Sequence, residues 1–447
     1  MKQYLDLLKH CTCGREHAVD IGNIHINDDV RSEMLELITN KYLDKKVIVI
    51  CDTNTWEAAG KSLTERLKTH DIDAEQCLLN GRTYVTPDEE TIGKTLIRIP
   101  ADADLLIGVG SGTLNDITRF LAFRLHLPYF TFATAPSMDG YASSVSPLSV
   151  NHIKTTVRCK PAEEIFANPK LLREAPEFLI SAGFGDLFGK HIASMDWLVS
   201  HTMEGEYFCG NISKLLLTLL SDIEKKISEG DPFGVDSIDL LIRGLILSGL
   251  TIQLAGGSSR PVSGSDHHIS HFFEMKHYFE EAPKFLHGHT VALGMYLMSR
   301  MYKKVFAEGF EGLVKLHEKH KNQQDSALRK QRLERSFKVM AQEKITSWEN
   351  SIPDRERLLY LWNRLETHWE ELETFYKNTV LSPAEIEQYY DRVNLKFRPQ
   401  DYGYSRELVE DALICAKEIR PRFTLLTLLD SLSLLDYFTD MVVDELF

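Results

Sequence analysis

The sequence predicts an α/β domain with a parallel sheet, followed by a domain made only of helices. From residue 46 to residue 134, short apolar segments alternate with amphipathic helical segments, which is typical of parallel strands covered by helices. After residue 169 the strand signals end, and the apolar residues recur only at a helical period. We therefore place the boundary between residues 165 and 178 and predict domains at residues 1–175 and 176–447.

The individual elements follow from local composition. We predict strands at residues 46–51, 77–79, 103–110 and 128–134, and helices at residues 56–67, 87–99 and 117–126. Residues 143–159 alternate in polarity and predict a hairpin added to the same sheet. The second half predicts helices at residues 182–201, 212–229, 237–254 and 290–307, with several more up to residue 447. A further helix is predicted to start at Gly264 or Ser265 and to bear the histidines that follow. Ligands of such folds bind at the carboxyl ends of the strands, and we expect the active site in the cleft between the domains.

Composition restricts the function. The 447 residues are 43% hydrophobic and 26% charged, which is ordinary for a soluble globular protein. A net charge of −14 argues against nucleic acid or an anionic membrane as partner, although a small phosphorylated substrate needs only a local pocket of donors. No apolar segment approaches membrane-spanning length, and seven scattered cysteines indicate a reducing compartment. We expect a cytoplasmic protein without membrane insertion.

Two of these cysteines, Cys11 and Cys13, lie close to His10 and His17. Such a group can bind a metal, but C-x-C is an atypical zinc spacing. We interpret Cys11 and Cys13 as thiols that bind no metal.

The segment Gly108-Val-Gly110-Ser-Gly112 lies where a predicted strand leads into a helix, so its backbone N–H groups can approach a pyrophosphate. Its spacing is not that of the usual dinucleotide motif, and many such turns bind nothing. Asp52 follows another strand, where a carboxylate can accept hydrogen bonds from both ribose hydroxyls and repel a 2′-phosphate. The alternative role of Asp52 is to cap the helix beginning at Trp56.

Three further polar segments are candidates, each with an ordinary alternative. The loop 134–143 contains hydroxyls and the Asp139 carboxylate, or it is a simple polar loop. Asp186 can bind a metal, or it can pair with Lys190 one helical turn later. Arg260, in a loop of glycines and serines, can hold a phosphate, or it is an exposed arginine in a flexible loop.

The second half is organised around residues 263–289. At about 100° per residue, His267, His271 and Glu274 lie on one side of a helix, opposite Ile269, Phe272 and Phe273. His287 follows just before the next helix. Two imidazoles from neighbouring helices and one carboxylate would form a three-ligand site for a divalent metal with an open position. Taken alone, the pattern favours ordinary core or surface histidines, because histidine-rich helices are common and the chain has 17 histidines.

Five segments in the same order resemble the iron-containing alcohol dehydrogenase and dehydroquinate synthase superfamily, and most closely its bacterial sn-glycerol-1-phosphate dehydrogenase family. They are Gly108-Val-Gly-Ser-Gly-Thr-Leu-Asn-Asp116, Thr134-Ala-Pro-Ser-Met-Asp-Gly140, Gly183-Phe-Gly-Asp186, Ser259-Arg-Pro-Val-Ser-Gly-Ser-Asp-His-His-Ile-Ser-His271 and His287-Gly-His289. The resemblance covers about residues 10 to 305 and fades in the charged helical segment that follows.

The resemblance implies a dehydroquinate synthase-like fold: a Rossmann-like domain with a parallel sheet, then an all-α metal-binding domain. It implies that Asp186, His267 and His287 bind one zinc or nickel ion, and that Asp139 and His271 contact the substrate. The implied dinucleotide contacts are Asp52, Gly110, Gly112, Thr113, Leu114, Asn115, Asp116, Thr134, Ala135, Pro136, Ser137 and Ser143. His289 replaces an acidic residue of the family without affecting a ligand.

The implied reaction interconverts dihydroxyacetone phosphate and glycerol 1-phosphate in a homodimeric enzyme, with NAD(H) preferred over NADP(H) because of Asp52. Glycerol dehydrogenase and dehydroquinate synthase share the scaffold and are the nearest alternatives. A synthase is expected to have a different histidine helix and several substrate lysines, and a free polyol would leave Ser259 and Arg260 without a partner. A non-catalytic metal-binding or nucleotide-binding protein is the alternative from another class, against which the Asp186, His267 and His287 set argues.

Overall fold

A computed structural model describes residues 2–19, 21–79, 85–150, 153–321 and 325–447. The strands are β1 (Asn23–Ile26), β2 (Lys46–Asp52), β3 (Asp73–Leu79), β4 (Leu105–Gly110), β5 (Tyr129–Ala133), β6 (Val145–Val150), β7 (Ile153–Arg158) and β8 (Glu164–Ala167). The helices up to the middle of the chain are α1 (Lys2–Leu5), α2 (Val30–Tyr42), α3 (Thr53–Thr55), α4 (Lys61–Thr69), α5 (Glu89–Arg98), α6 (Gly112–Leu125), α7 (Pro169–Arg173), α8 (Glu177–Phe188), α9 (Lys190–Glu204), α10 (Gly210–Glu229) and α11 (Val235–Leu254). The later helices are α12 (Ser265–Tyr278), α13 (His287–His320), α14 (Ser326–Phe337), α15 (Ala341–Ser351), α16 (Arg355–Thr379), α17 (Pro383–Arg392), α18 (Arg406–Cys415), α19 (Leu425–Ser431) and α20 (Leu435–Asp444).

Six parallel strands form the main sheet, in the order β1-β8-β5-β4-β2-β3. The β-branched and aromatic side chains of β2, β4 and β5 are buried, as expected for a sheet covered on both faces. The predicted fold class, a parallel α/β part followed by a helical part, is confirmed. Each of the four strands predicted for the main sheet is present.

Two strands of the main sheet were not predicted, β1 and β8. Both have only four residues, and the carboxylate of Glu164 in β8 interrupts an apolar pattern. That carboxylate accepts a hydrogen bond from Nε2 of His25 in β1 at 2.9 Å. The pairing of β1 with β8 thus includes a polar contact between side chains distant in sequence, which no local pattern reveals.

The predicted hairpin at residues 143–159 is present as β6 and β7, but its predicted place in the main sheet is wrong. The two strands pair antiparallel in a separate sheet of two strands. Among the described residues, the only β-bridge from β6 to a residue outside the hairpin joins Ser149 to Asp88. Alternation predicts a half-buried hairpin but does not determine which strand it lies beside.

The chain divides into two compact units. The first comprises Met1–His10, Gly14–Leu187 and Thr218–Ser258 and contains both sheets; the second comprises Cys11–Cys13, Phe188–Leu217 and Ser259–Phe447 and contains no strand in its described part. The predicted division into residues 1–175 and 176–447 remains a proposal about independently folding parts. Among the described residues, no helix combines the length and apolar character needed to cross a membrane.

Candidate active site

Helix α12, which bears the predicted histidines, begins as the sequence predicts, with Gly264 as its N-cap. The Ser265 backbone N–H and hydroxyl both donate to Oδ2 of Asp196, at 2.6 and 2.5 Å. Asp196 Oδ1 accepts from the Tyr302 hydroxyl at 2.7 Å and from the Leu425 N–H at 2.9 Å. Burial raises the pKa of Asp196, and these bonds oppose that shift. Asp196 therefore joins the start of α12 to two other helical segments, a role that sequence reasoning missed.

Helices α12 and α13 lie unusually close at Gly294. A Cβ atom on Gly294 would lie 2.3 Å from the backbone oxygen of Asp266, so any other residue would force the helices apart. The predicted apolar side of α12 is confirmed, since Ile269, Phe272 and Phe273 are fully buried. This packing fixes the opposite side of α12 beside the first residue of α13, His287.

Asp186, His267 and His287 each offer a ligand atom, and these atoms all lie within 4.8 Å of one another. Asp186 and His267 are buried, whereas His287 is half-buried. The imidazole centroids of His267 and His287 are 5.3 Å apart. Two nitrogens and one carboxylate oxygen at these separations fit a divalent cation such as zinc.

A carboxylate orients each of these histidines. His267 Nδ1 lies 2.6 Å from Oδ2 of Asp266, and His287 Nδ1 lies 2.7 Å from Oε1 of Glu274. An Nδ1–H that donates to a carboxylate leaves the Nε2 lone pair for a metal, the usual arrangement around metal-bound histidine. The donor set therefore fits a bound metal in its outer contacts as well as in its ligands.

Glu274 has a second partner, His271. Its Oε2 lies 2.9 Å from His271 Nδ1, and the His271 and His287 rings stack with centroids 5.3 Å apart. His271, Glu274 and His287 also form a group whose ligand atoms lie within 4.8 Å of one another. The predicted helix geometry placed Glu274 beside the histidines, but only the structure shows that one carboxylate orients two of them.

Asp139 lies beside Asp186. The Asp139 backbone N–H donates to Oδ2 of Asp186 at 2.9 Å, and the Ser248 hydroxyl donates to Oδ2 of Asp139 at 2.9 Å. A Cβ atom on Gly183 would lie 1.8 Å from the backbone oxygen of Pro136, so this residue must be glycine. The α8 segment that carries Asp186 therefore lies against the loop that follows β5.

The predicted cofactor residues follow three adjacent strands. Asp52 ends β2, Gly110 ends β4, and Thr134 follows β5. Gly112 and Thr113 open helix α6 and are partly exposed. As first-turn residues, they have backbone N–H groups without a partner inside the helix. The remaining predicted residues of these segments are buried: Leu114, Asn115, Asp116, Thr134, Ala135, Pro136, Ser137 and Ser143.

Several of these side chains have structural contacts. Asn115 accepts from the Thr131 hydroxyl and donates to the Gly140 backbone oxygen. Asp116 accepts from the buried Arg119 guanidinium at 2.8 Å. Asp52 accepts from the Thr55 N–H at 2.8 Å and caps α3, which is the alternative role considered for it. The helix predicted from Trp56 instead begins at Thr53, with a wide turn at Trp56–Gly60.

Arg260 is buried and contacts other protein groups. Its guanidinium forms an ion pair with Glu206 at 2.6 Å and donates to the Phe423 backbone oxygen at 2.8 Å. The loop that contains it is ordered as a short 3-10 turn at Arg260–Val262 rather than as an exposed flexible segment.

The parallel sheet and the helical part give this chain a fold similar to that of iron-containing alcohol dehydrogenases. A sequence profile of the family described as iron-containing alcohol dehydrogenase matches residues 25–176. The structure resembles glycerol dehydrogenase from Schizosaccharomyces pombe with a TM-score of 0.59, at 14% identity, over 96% of this chain and 94% of that one. This likeness supports the fold class.

Sequence relatives define the family more narrowly. The chain is 38% identical over 292 residues to glycerol-1-phosphate dehydrogenase [NAD(P)+] of Bacillus velezensis, covering 64% of this chain and 73% of the relative. The enzyme of the same name from Geobacillus thermodenitrificans matches at 28% identity over 98% of this chain and all of its own length. The chain belongs to the glycerol-1-phosphate dehydrogenase family and is an oxidoreductase. The second match includes the charged helical segment after residue 305, so this segment is shared with that relative.

Proposed function

We propose that this enzyme reduces dihydroxyacetone phosphate to sn-glycerol 1-phosphate with NADH, reversibly, at a divalent metal held by Asp186, His267 and His287. The observation that supports this most directly is the approach of these three ligand atoms to within 4.8 Å of one another. Zinc or nickel suits two imidazoles and one carboxylate. When bound, the metal would supply Lewis-acid polarisation of the substrate carbonyl.

His271 is the proposed proton donor to the C2 oxygen. It lies one helical turn after His267, and Glu274 accepts a hydrogen bond from its Nδ1. Its Nε2 can then exchange a proton with the substrate, and the carboxylate stabilises the imidazolium. Asp139, oriented by Ser248, is the proposed acceptor for the terminal hydroxyl of the substrate.

For the cofactor, we propose a site at the ends of β2, β4 and β5. Amide N–H groups at Gly112 and Thr113 would bind the pyrophosphate at the helix N-terminus. One oxygen of Asp52 accepts from Thr55 N–H, which leaves the other for the ribose hydroxyls. Its negative charge would oppose a 2′-phosphate and favour NAD(H). The relatives' names specify NAD(P)+, which agrees with nicotinamide chemistry.

Arg420 and Arg422 support a phosphorylated substrate. Arg422 donates to the Ser259 hydroxyl at 2.6 Å and to the Ser263 backbone oxygen at 3.3 Å, in the loop that leads to α12. Burial, together with Arg420 and Arg260, lowers the pKa of Arg422 to about 10; burial also lowers that of Arg420, and the charge of Glu274 opposes this shift. Among the residues described, no carboxylate forms an ion pair with either guanidinium. We propose that the substrate phosphate supplies the missing negative charge.

The arginines and the metal ligands together would fix the handedness of the product. The metal site would hold the C2 oxygen, the arginines the phosphate, and Asp139 the terminal hydroxyl. In the mirror-related pose at least one buried polar group loses its partner, at a cost of roughly 1–3 kcal/mol. One face of the carbonyl is therefore presented to the nicotinamide.

The test is to follow NADH consumption with dihydroxyacetone phosphate and to treat the product with an enzyme specific for sn-glycerol 3-phosphate. We expect NADH oxidation and no attack on the product by the second enzyme. Absence of NADH oxidation in the metal-loaded protein, or substantial oxidation of the product, would contradict the proposal.

Arg422→Gln should raise KM for dihydroxyacetone phosphate far more than for dihydroxyacetone, whereas Arg398→Gln, at an exposed position, should change neither KM.

We also propose a homodimer in the cytoplasm. The seven cysteines are odd in number and scattered along the sequence, a distribution that supports a reducing compartment. Light scattering at several protein concentrations tests the dimer.

A further inference from the structure

A second group of metal-binding side chains lies at the N-terminal segment. Cys11, Cys13, His17 and Cys209 each offer a ligand atom, and these four atoms all lie within 4.8 Å of one another. Cys11 Sγ is 3.4 Å from Cys209 Sγ, although 198 positions separate them in sequence. The prediction that the two N-terminal cysteines bind no metal considered only the C-x-C spacing, and the fold adds a third thiol that this spacing cannot show.

We propose that Cys11, Cys13, His17 and Cys209 bind one zinc ion as a closed structural site, separate from the site at Asp186, His267 and His287. Three thiolates and one imidazole are a common zinc ligand set in structural sites. At Zn–S distances of about 2.3 Å, tetrahedral geometry separates the sulfur atoms by about 3.8 Å. The observed separations need only small side-chain adjustments to reach this value.

The backbone at Cys13 suits such a site. Gly14 follows directly and has φ +82°, a conformation that L side chains rarely adopt. This allows the chain to turn sharply after the second thiol and to return His17 to the group. His17 Nδ1 lies 2.8 Å from the Leu254 backbone oxygen, so Nδ1–H can donate there and leave Nε2 for the metal.

Cys209 occupies the position before helix α10, where unpaired backbone N–H groups favour a thiolate. A zinc ion would bind this sulfur as the thiolate and release its proton. The Tyr207 hydroxyl lies 3.2 Å from Cys13 Sγ and can donate to a thiolate there.

The bound ion would fasten residues 11–17 to the segment before α10. Closed four-ligand sites have no open position for a substrate, so we assign this ion a structural role. Loss of the ion would loosen the N-terminal segment while the histidine site kept its ligands.

Cobalt(II) distinguishes the two sites, because thiolate ligands give an intense near-ultraviolet charge-transfer band that nitrogen and oxygen ligands lack. The full-length protein is purified under reducing conditions, stripped with a chelator and titrated with cobalt(II), then with zinc. We expect the band to grow with cobalt and to vanish as zinc displaces it. Metal analysis after zinc reconstitution should give two ions per chain.

Three variants complete the test. Cys13→Ser should lose the charge-transfer band and one metal ion. His267→Ala should lose one metal ion and keep the band. Cys159→Ala should keep the band and both ions, since Cys159 is a buried cysteine outside both groups. Absence of the band in the reduced wild-type protein, or an unchanged band in Cys13→Ser, would overturn the proposal. A Cys11–Cys209 disulfide and no bound metal, in protein purified under reducing conditions, would also overturn the proposal. Failure of NADH oxidation alone would contradict only the proposed function.

If Cys13→Ser does not fold, alkylation of the wild-type protein decides the question. Zinc should protect Cys11 and Cys13 from N-ethylmaleimide, and a chelator should expose both. Burial raises the pKa of Cys51 and Cys415 to about 12, so these thiols stay unreactive and serve as internal controls. Equal labelling of Cys11 and Cys13 with and without zinc would overturn the proposal.

Discussion

Glu274 accepts a hydrogen bond from Nδ1 of both His271 and His287, and Glu274→Gln removes one of these two acceptors. The contacts are short, 2.9 Å to His271 and 2.7 Å to His287. A glutamine side chain offers one oxygen and one NH₂ group, so it can accept from one imidazole only. The other histidine loses the partner that fixes its tautomer and ring orientation.

The size of the effect depends on which histidine loses its acceptor. Changing the carboxylate that orients a metal-bound histidine typically costs 10- to 100-fold in metal affinity or activity, which corresponds to about 1.4–2.7 kcal/mol. If His287 is affected, metal affinity should fall by this factor. If His271 is affected, metal affinity should be unchanged and kcat should fall, because His271 is the proposed proton donor.

The measurement combines zinc competition against a chromophoric chelator with steady-state NADH oxidation at saturating metal. Glu280→Gln is a matched control, since Glu280 is exposed and lies six positions after Glu274. We expect Glu274→Gln to lower at least one quantity by tenfold or more and Glu280→Gln to change neither. Unchanged affinity and unchanged kcat in Glu274→Gln would refute the proposed role of this carboxylate.

Three further predictions concern the proposed metal ligand His287, the proposed cofactor residue Asp52 and the buried carboxylate of Asp196. His287→Ala should abolish turnover while circular dichroism shows a folded protein; a near-normal rate with stoichiometric metal would contradict the ligand assignment. Asp52→Gly should narrow the preference for NADH over NADPH by about 1–3 kcal/mol, as measured by the two kcat/KM values, and equal use of both cofactors by the unmodified enzyme would refute the idea. Asp196→Ala should lower the free energy of unfolding by roughly 3–5 kcal/mol in urea denaturation, because several buried donors lose an acceptor at about 1–3 kcal/mol each, and Asp196→Asn should lose less. A loss below 1 kcal/mol in Asp196→Ala would show that these contacts are dispensable.

The parts of the fold that local periodicity controls were predictable. Strands β2, β4 and β5 are continuous apolar segments, and α12 has an apolar side that the structure buries. Strands β1 and β8 were missed because each is four residues long and is completed by the contact between His25 and Glu164. The position of the β6–β7 hairpin was wrong because alternation carries no information about neighbours.

The candidate site also has residues that the sequence predicts and residues that only the fold reveals. Helical spacing placed His267, His271 and Glu274 on one side, and the family resemblance combined Asp186, His267 and His287 into one ligand set. Asp196 could not be found, because its partners Ser265, Tyr302 and Leu425 come from segments far apart in sequence. The thiol of Cys209 was missed for the same physical reason: only the folded chain brings it to Cys11.

The contact between Gly183 and the Pro136 backbone restricts how this enzyme can be redesigned. No side chain fits between them, so a change in the path of residues 134–137 displaces the helix carrying Asp186, to which the Asp139 N–H is also bonded. Loop exchanges intended to alter nicotinamide preference would therefore disturb the proposed metal ligand Asp186 as well. Cofactor engineering in this scaffold is better directed at Asp52, whose side chain accepts its hydrogen bond from Thr55 in the first turn of α3.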